Sequence, residues 1–312
     1  MTRAYLPAPI WGIKEDFRIM FSGSIPALVT PFRNGNFAEE DYRALVEWQI
    51  AEGSAGLVPC GTTGEAATMP KDEHFEVVRV CADQAKGRVP VLAGAGSNDT
   101  LVAIENVKAS ADAGADAVLM VPPYYNRPSQ EGIFRHFEAV AAECELPIVL
   151  YNVPARTATD IHPETVIRIV EAFPGKFVAI KDATGDLTRV SKHRAALRAS
   201  FAQLSGNDET APAFNAMGGV GCISVSANVA PRLCAQFQAA WAEGNTALAL
   251  ALHDRLFALH LALFTDASPG PVKYAVNKLR PEISAELRLP MVEPGDASKA
   301  AVDAAMKAAG IL

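Results

Sequence analysis

The stretch that decides the fold of this chain is Phe177-Val178-Ala179-Ile180-Lys181-Asp182-Ala183, an apolar run with a lysine near its end. It is bounded by Gly175 and by Thr184-Gly185-Asp186, and an apolar run of this length predicts a strand buried on both faces, as in a parallel sheet. A buried ammonium without a partner is costly, so Lys181 either reaches water in a cleft or loses its proton and becomes a nucleophilic amine. The plainer alternative is a lysine that points into solvent at a strand end.

The same pattern repeats along the chain from Gly23 onward. Short apolar or β-branched runs alternate with longer Ala-, Glu- and Arg-rich stretches at helical spacing, which is typical of βα units. We predict eight strands, at Ser24 to Phe32, Ala55 to Cys60, Val89 to Gly94, Ala117 to Pro122, Pro147 to Val153, Phe177 to Ala183, Phe201 to Ser205 and Gly221 to Ala227. We predict a helix after each of them, at Glu39 to Glu52, Pro70 to Ala85, Asp99 to Ala113, Glu131 to Cys144, Pro163 to Ala172, Leu187 to Ala199, Glu209 to Met217 and Pro231 to Glu243.

Eight strands and eight helices within the ~250 residues that such a fold requires predict an α/β protein with a (β/α)8 barrel, the TIM barrel. A doubly wound open sheet is the main alternative, and it is weakened because no G-x-G-x-x-G motif follows the first strand. We divide the chain into an N-terminal extension at residues 1–20, the barrel at residues 21–243 and a small C-terminal helical region at residues 244–312. The last region has predicted helices at Asn245 to Phe264, Pro271 to Leu279 and Ala297 to Ala309.

The composition is that of an ordinary globular protein, because 50% of the 312 residues are hydrophobic and 20% are charged. The net charge of -7 and the absence of a Lys/Arg-rich run argue against nucleic acid or an anionic membrane as a partner, so a small-molecule ligand is expected. Five scattered cysteines without a C-x-x-C pair indicate reduced thiols in a cytoplasmic protein, with neither disulfides nor a zinc site. The first twenty residues lack the apolar core of a secretory signal, and no apolar run approaches the ~20 residues needed to cross a bilayer.

Unusual polar residues follow the predicted strands, at the end of the barrel where the active sites of this fold lie. The second strand is followed by Gly61-Thr62-Thr63-Gly64-Glu65, the fourth by Tyr124-Tyr125-Asn126, the fifth contains Tyr151 and precedes Arg156, and the sixth ends near Lys181. Glycines let backbone N–H groups approach a ligand, and the threonine hydroxyls would complete a cradle for a small carboxylate. Each feature also has a plainer interpretation: a capped turn, aromatic residues at an interface, a packed core ring, or a loop charge that is solvated or half of an ion pair.

Together these side chains suit one reaction. A desolvated amine has a lowered pKa and attacks a ketone to form an iminium, or Schiff base, which acts as an electron sink. Carbon–carbon bond formation beside that iminium requires proton transfers, which tyrosine and threonine hydroxyls provide in sequence. No metal or organic cofactor is required. The six histidines form no H-x-x-x-H pair, and the sequence contains no G-x-S-x-G nucleophile elbow.

Four motifs resemble those of the pyruvate-dependent class I aldolases, the family of dihydrodipicolinate synthase and N-acetylneuraminate lyase. They are Gly61-Thr62-Thr63-Gly64-Glu65, Tyr124-Tyr125-Asn126-Arg127-Pro128, Tyr151-Asn152-Val153-Pro154-Ala155-Arg156-Thr157 and Ile180-Lys181-Asp182-Ala183-Thr184-Gly185-Asp186. The resemblance runs from about Phe21 to about Leu279, and the combination of motifs is most similar to dihydrodipicolinate synthase.

The resemblance implies a role for each catalytic residue. Lys181 is implied to form the Schiff base with pyruvate, and Tyr151 is implied to be the central acid/base. Tyr151 is linked in the family through Thr62 to Tyr125 in a proton relay, and this last tyrosine reaches into the site of the neighbouring subunit. The resemblance therefore implies a tight dimer as the functional unit within a homotetramer.

The resemblance also implies how the substrates are held. Thr63 and its neighbouring backbone would hold the pyruvate carboxylate, and Arg156 would bind the carboxylate of L-aspartate 4-semialdehyde. Gly206 and Ile223 correspond to positions whose backbone carbonyls line the site. A guanidinium fork suits a substrate carboxylate, whereas the sugar-acid lyases usually have other residues at this position. Arg156 and the Thr62-Thr63 pair therefore favour the synthase.

The implied activity is that of a Schiff-base lyase that condenses pyruvate with L-aspartate 4-semialdehyde to 4-hydroxy-tetrahydrodipicolinate, in lysine and diaminopimelate biosynthesis. It would need no cofactor beyond the covalently bound pyruvate, and it would act in the cytoplasm. The alternative is a related pyruvate-dependent aldolase that acts on a 2-oxo sugar acid or a similar 2-oxo acid. A barrel that keeps the site as a binding module without turnover is a further alternative, and the presence of lysine, tyrosine and relay residues together argues against it.

A regulatory pocket is the last feature that the resemblance implies. Family members inhibited by lysine usually have a histidine, an asparagine and a glutamate in a pocket at the dimer interface. His74, Asn98 and Tyr124 match this pocket, but Val102 stands where the glutamate is expected and Lys71 where a second histidine often lies. Without a carboxylate for the ammonium of the effector, inhibition by lysine is expected to be weak or absent.

Overall fold

The computed structural model describes residues 21–312, and the predicted extension at residues 1–20 lies outside the described part of the chain. Seven strands form one sheet: β1 (Gly23–Pro26), β4 (Leu92–Gly94), β5 (Ala117–Met120), β6 (Ile148–Asn152), β7 (Phe177–Asp182), β8 (Ala202–Ser205) and β9 (Gly221–Ser224). All neighbouring pairs are parallel, in the order β1-β9-β8-β7-β6-β5-β4. A short antiparallel ribbon, β2 (Phe32–Arg33) and β3 (Asn36–Phe37), follows the first strand.

Residues 55–60 fill the gap between β1 and β4 and close the barrel. The N–H of Val58 donates to the carbonyl of Pro26 at 3.0 Å, and the residue before it accepts a hydrogen bond from β4 at 2.8 Å. The predicted second strand is therefore present as isolated parallel bridges and not as a regular strand. Pro59 has no N–H to donate and Cys60 has a φ of 54°, so the ladder ends there. The predicted (β/α)8 barrel is confirmed.

The eleven predicted helices are all present, with ends shifted by a few residues. The α-helices of the described chain are α1 (Glu39–Ala51), α2 (Lys71–Ala85), α3 (Thr100–Asp112), α4 (Gln130–Glu143), α5 (Pro154–Thr157), α6 (Pro163–Ala172), α7 (Thr188–Ala196), α8 (Ala211–Ala216), α9 (Pro231–Ala242), α10 (Thr246–Ala262), α11 (Gly270–Leu279) and α12 (Asp296–Ala308). The sequence did not predict α5, a single turn that starts at Pro154, where the fixed φ of proline suits a first helical position.

Side chains of the strands alternate between two apolar layers. On β6, Tyr151 belongs to the cluster inside the barrel, whereas Leu150 packs outward against the helices. On β7, Ala179 lies inside and Ile180 lies outside. Because the side-chain period of a strand is two, Lys181 falls on the interior face, at the C-terminal end of the barrel.

The C-terminal helices α10, α11 and α12 lie against the barrel. Leu256 of α10 and Met306 of α12 belong to the same buried apolar cluster as Leu45 of α1 and Val77 of α2. This shared core means that the helical extension is stabilised by the barrel that it covers, while the domain boundary between residues 243 and 244 stays a prediction. Among residues 21–312, no helix is both long and apolar enough to cross a membrane.

Candidate active site

Lys181 lies near the C-terminal end of β7 and is only 5% exposed. Tyr151 on β6 is its partner in the strand register, and Lys181 Nζ lies 4.2 Å from the centroid of the Tyr151 ring. On the other side, Lys181 is paired in register with Leu204 of β8. Within residues 21–312, no carboxylate pairs with the amine of Lys181 and no hydrogen bond holds it. The predicted nucleophile thus lies between an aromatic ring and an apolar strand.

Gly206 brings the ends of β7 and β8 together. Its N–H donates to the carbonyl of Asp182 at 2.7 Å, and a Cβ at this position would lie 2.6 Å from the Cβ of Ala183. Only glycine permits this approach of the two chains. Ile223, the other residue predicted to contribute a carbonyl, is buried on β9 opposite Ile25 of β1. Both carbonyl roles stay predictions.

The Gly61–Glu65 segment, here called the threonine loop, forms a tight turn after the closing strand segment. The N–H of Gly64 donates to the carbonyl of Gly61 at 3.1 Å, and the N–H of Glu65 donates to the carbonyl of Thr62 at 3.2 Å. Thr62 is exposed and Thr63 is buried. Neither threonine hydroxyl has a hydrogen-bond partner in the described part of the chain, so both are available to a ligand.

Arg156 lies on the one-turn helix α5, directly after β6. Thr157 donates its hydroxyl hydrogen to the carbonyl of Thr159 at 2.8 Å, and Thr159 donates to the carbonyl of Pro123 at 2.8 Å. These two buried hydroxyls fix α5 against the loop that follows β5. Arg156 itself is exposed.

The loop after β5 turns Tyr125 away from the barrel. Tyr125 has a φ of 70° and is 89% exposed, and Arg127 has a φ of 47°. Left-handed backbone at a tyrosine is costly and has to be held by its surroundings. Within the described residues, no hydrogen bond joins the hydroxyls of Tyr151, Thr62 and Tyr125, so the predicted relay is not formed inside one chain.

A cleft of about 460 Å³ opens at this end of the barrel. Of the predicted catalytic and substrate-binding residues, three line it: Thr62 of the threonine loop, Tyr151 of β6 and Arg156 of α5. A volume of this size and its mixture of apolar walls with a few polar groups suit a small molecule.

Two of the three predicted regulatory residues, His74 and Tyr124, line the same cleft together with Lys71 and Val102, whereas Asn98 is not part of its lining. The Nε2–H of His74 donates to the carbonyl of Gly94 at 2.8 Å, and burial lowers the pKa of this histidine. Asn98 accepts a hydrogen bond from the Asn126 side chain through its carbonyl at 2.8 Å, so its backbone holds the loop after β5. Val102 has no carboxylate to offer an effector, and the predicted weak response to lysine stays a prediction.

Two carboxylates that support the strand ends, the half-buried Asp160 and the buried Asp208, were not identified from the sequence. Asp160 accepts a hydrogen bond from the Asn152 side chain at 2.8 Å and forms a two-point ion pair with Arg189, at 2.9 and 2.6 Å. Asp208 accepts a hydrogen bond from the hydroxyl of Ser224 at 2.5 Å and from the backbone N–H groups of the two residues after that serine, Val225 and Ser226. Their partners lie 8 to 29 residues away in the first case and 16 to 18 in the second, so no local pattern signals them.

Comparison with known proteins places these features in a family. A model of the dihydrodipicolinate synthetase family matches residues 20–309. The 4-hydroxy-tetrahydrodipicolinate synthase of Rhizorhabdus wittichii is 62% identical over 292 residues, which cover 94% of this chain and 100% of the relative. The structure of the chloride-inhibited dihydrodipicolinate synthase of Acinetobacter baumannii complexed with pyruvate is 41% identical, with a TM-score of 0.90 over 93% of this chain and 99% of that one. A structure described as the first monomeric dihydrodipicolinate synthase variant is 37% identical, with a TM-score of 0.91 over 96% of this chain and 99% of that one.

The residues that match the family model include every strand of the barrel and all four motifs. The relatives are matched over nearly their whole length, so the similarity is not confined to one part of the fold. The family that the motifs predicted is confirmed. The chain belongs to the dihydrodipicolinate synthetase family.

Proposed function

We propose that this protein is a 4-hydroxy-tetrahydrodipicolinate synthase, a lyase that condenses pyruvate with L-aspartate 4-semialdehyde through a Schiff base on Lys181. The observation that supports this most strongly is the position of Lys181. Its amine has no carboxylate partner within residues 21–312 and lies 4.2 Å from the centroid of the ring of Tyr151, a residue that lines the cleft. Relatives that match 94% of this chain are named as this synthase, as the sequence predicted.

The chemistry begins when Lys181 Nζ adds to the ketone carbon of pyruvate and water leaves, which gives an iminium. Loss of a proton from the pyruvate methyl group gives an enamine, and its carbon attacks the aldehyde carbon of the second substrate. The resulting alkoxide takes up a proton. The amino group of the semialdehyde then adds to the iminium carbon and displaces Lys181, which closes the ring. Pyruvate and semialdehyde thus give the cyclic product and one water, and neither an oxidant nor a further cofactor is consumed.

The positions of the side chains support the proposed roles. Tyr151, which stands beside Lys181 in the register, transfers protons to and from the covalent intermediates, with Thr62 and Tyr125 as the next members of the relay. Thr63 and its loop backbone hold the pyruvate carboxylate. Arg156, exposed and lining the cleft, binds the carboxylate of the second substrate.

Borohydride trapping tests the proposal, because reduction makes the iminium permanent. With pyruvate and borohydride, the wild-type chain should lose activity and gain one reduced pyruvyl group on Lys181, as identified by peptide mass spectrometry. Lys181→Ala should gain none. Lys176→Ala, which changes the lysine directly before β7, is the matched control and should still be labelled at Lys181.

An adduct on another lysine, or no adduct, would refute the Schiff-base mechanism. An adduct on Lys181 without turnover of the semialdehyde would retain the imine chemistry and exclude this second substrate. The two results are separable because trapping needs pyruvate alone.

A homotetramer built from dimers, in the cytoplasm, is the proposed state of the protein. The 89% exposure of Tyr125 supports a dimer, because the proposed relay needs its hydroxyl at a site that its own chain does not provide. The five cysteines, all free and buried, fit a reducing compartment. Sedimentation velocity measures the assembly directly, and a related variant described as monomeric provides a reference for the smallest species.

A further inference from the structure

A buried ion pair connects helix α11 to the threonine loop. Lys273 Nζ donates to Glu65 Oε1 at 2.7 Å, and the two side chains are 0% and 2% exposed. The same ammonium donates to the carbonyl of Thr30 at 2.8 Å and to the carbonyl of Glu286. Glu65 Oε2 accepts from the backbone N–H of Arg288 at 3.2 Å. All three protons of the ammonium and both oxygens of the carboxylate therefore have partners.

Stability alone does not account for this pair. Removing two charges from water is costly, and well-packed apolar residues of the same volume often serve stability as well or better. Burial lowers the pKa of Lys273, and the Glu65 carboxylate opposes that shift. Hydrogen bonds between charged groups hold donor and acceptor in one geometry. An apolar pair would not fix the orientation of the Glu65 side chain in this way.

By holding the Glu65 side chain, the ion pair fixes the orientation of the threonine loop. Glu65 has a left-handed backbone with a φ of 58°, which is uncommon for a residue other than glycine. Its N–H donates to the carbonyl of Thr62 at 3.2 Å. Lys273 therefore holds, through the Glu65 side chain, the residue whose backbone closes the turn around Thr62 and Thr63.

Thr30 provides a second attachment to the same loop. Its hydroxyl donates to the carbonyl of Gly64 at 2.8 Å, while its own carbonyl accepts from Lys273. A Cβ on Gly64 would lie 3.2 Å from that hydroxyl and 3.0 Å from the carbonyl of Leu28, so loop and support fit closely. Lys273 thus reaches the loop at two successive residues, through Glu65 directly and through Thr30 to Gly64.

Arg288, the cation next to this ion pair, has a carboxylate partner of its own. Arg288 pairs with Glu73 through both of its terminal nitrogens, and its guanidinium lies 3.9 Å from the centroid of the Phe32 ring. Lys273 Nζ lies 4.5 Å from the centroid of the same ring. Both cations therefore lie close to one aromatic side chain, and Glu65 remains the carboxylate that faces Lys273.

We propose that Glu65 and Lys273 are positioning residues of the reaction, which fix the threonine loop so that Thr63 meets the pyruvate carboxylate and Thr62 meets the proton relay. This inference rests on the proposed function, because it assigns the pair to the pyruvate half of that site. Arg156 lies on a different segment that the pair does not touch, so the pair acts on pyruvate and not on the second substrate.

The test compares Lys273→Met and Glu65→Gln with wild type. The KM for pyruvate should rise about tenfold or more and kcat should fall, because small displacements of positioning groups have effects of this order. The KM for the semialdehyde should stay within about twofold. Each kcat is divided by the fraction of Lys181 that pyruvate and borohydride can trap at saturation, so that misfolded protein does not count. Lys278→Met is the matched control on α11, because this lysine pairs with Asp303 at the surface and should keep both KM values.

Thr30→Val and Thr30→Ser keep the test decisive if the charge variants fold poorly. Valine removes one hydroxyl at nearly constant volume and should raise the KM for pyruvate, while serine keeps the donor to Gly64 and should preserve it. The positioning role would be overturned if Thr30→Val and the folded charge variants showed only a lower Tm, with pyruvate KM and kcat per trapped site unchanged. The proposed function would then remain intact. No pyruvyl adduct on wild-type Lys181 would overturn both.

Discussion

Arg156 is an exposed guanidinium at the edge of the cleft, and no carboxylate within residues 21–312 pairs with it. Other arginines near this end of the barrel are occupied, since Arg189 pairs with Asp160 and Arg288 with Glu73. The sequence identified Arg156 but left open that it belongs to an ion pair. Within one chain the contacts remove that alternative, which supports the proposed role of Arg156 as the receptor for a substrate carboxylate.

Arg156→Ala should raise the KM for the semialdehyde about 10- to 100-fold, because a hydrogen bond to a charged group contributes about 1.5–3 kcal/mol. Trapping of pyruvate on Lys181 should be unchanged. Steady-state kinetics with each substrate varied in turn gives both values. Arg198→Ala, an exposed arginine just before β8 at the opposite end of the barrel, is the control. Equal losses in pyruvate trapping and in semialdehyde KM would contradict the assigned role.

Neighbouring helices are joined by buried polar contacts as well as by apolar packing. His136 of α4 lies with its Nδ1 3.0 Å from the hydroxyl of Thr100, at the start of α3, and its Nε2 is buried without a partner in the described chain. Burial lowers the pKa of His136 to about 4, although the Asp99 carboxylate opposes this. The folded chain therefore keeps this ring neutral at pH values at which an unfolded chain would protonate it.

The lowered pKa of His136 makes the free energy of unfolding decrease as the pH falls. Above about pH 6.5, the pKa of an unperturbed histidine in the unfolded chain, the ring is neutral in both states and the shift costs no stability. Between about pH 6.5 and about pH 4, the pKa in the folded chain, only the unfolded state binds the proton, so stability falls as the pH drops. Between about pH 7.5 and about pH 5.5 this single group should remove about 1 kcal/mol from the free energy of unfolding. Urea unfolding at the two pH values should show a smaller loss in His136→Asn than in wild type. His162→Asn, at an exposed position, should lose as much as wild type, and equal losses in all three proteins would contradict the assignment.

At the scale of the whole molecule, the exposed position of Tyr125 bears on how the proposed relay is completed. Its loop has two left-handed residues that are not glycine, and the ring is 89% exposed at the surface. A strained loop that exposes an aromatic side chain is readily explained if a second copy covers it. The proposed relay then draws Lys181, Tyr151 and Thr62 from one chain and Tyr125 from its partner.

Mixed dimers test this arrangement. Lys181→Ala and Tyr125→Phe should each be nearly inactive alone, because one lacks the nucleophile and the other lacks the last hydroxyl of the relay. Co-expressed, they should recover up to about a quarter of wild-type activity, because half of the dimers pair an intact Lys181 site with an intact Tyr125 from the other chain. Activity no higher than the mean of the two parent variants would show that Tyr125 does not act between chains. Adding Lys176→Ala to either parent should leave the recovery unchanged.

Much of the fold follows from local sequence. Apolar runs between helical stretches predicted the barrel, and glycines and prolines placed helix ends to within a few residues, because period and backbone preference act over short distances. The predicted strand at residues 55–60 is irregular, since Pro59 interrupts the ladder. The four motifs also placed Lys181, Tyr151, Thr62 and Arg156 at or after strand segments that the structure contains, while their roles stay predictions.

What the sequence by itself determined is therefore the order of the elements, the family and the end of the barrel at which the polar side chains collect. Only the tertiary structure decided that Tyr151 faces Lys181, because strand register depends on closure of the whole barrel. It also decided that Lys273 meets Glu65 across 208 residues of chain, and that Tyr125 turns outward. Contacts of this kind are set by which segments pack together, and residues so far apart in the chain leave no local pattern from which to predict them.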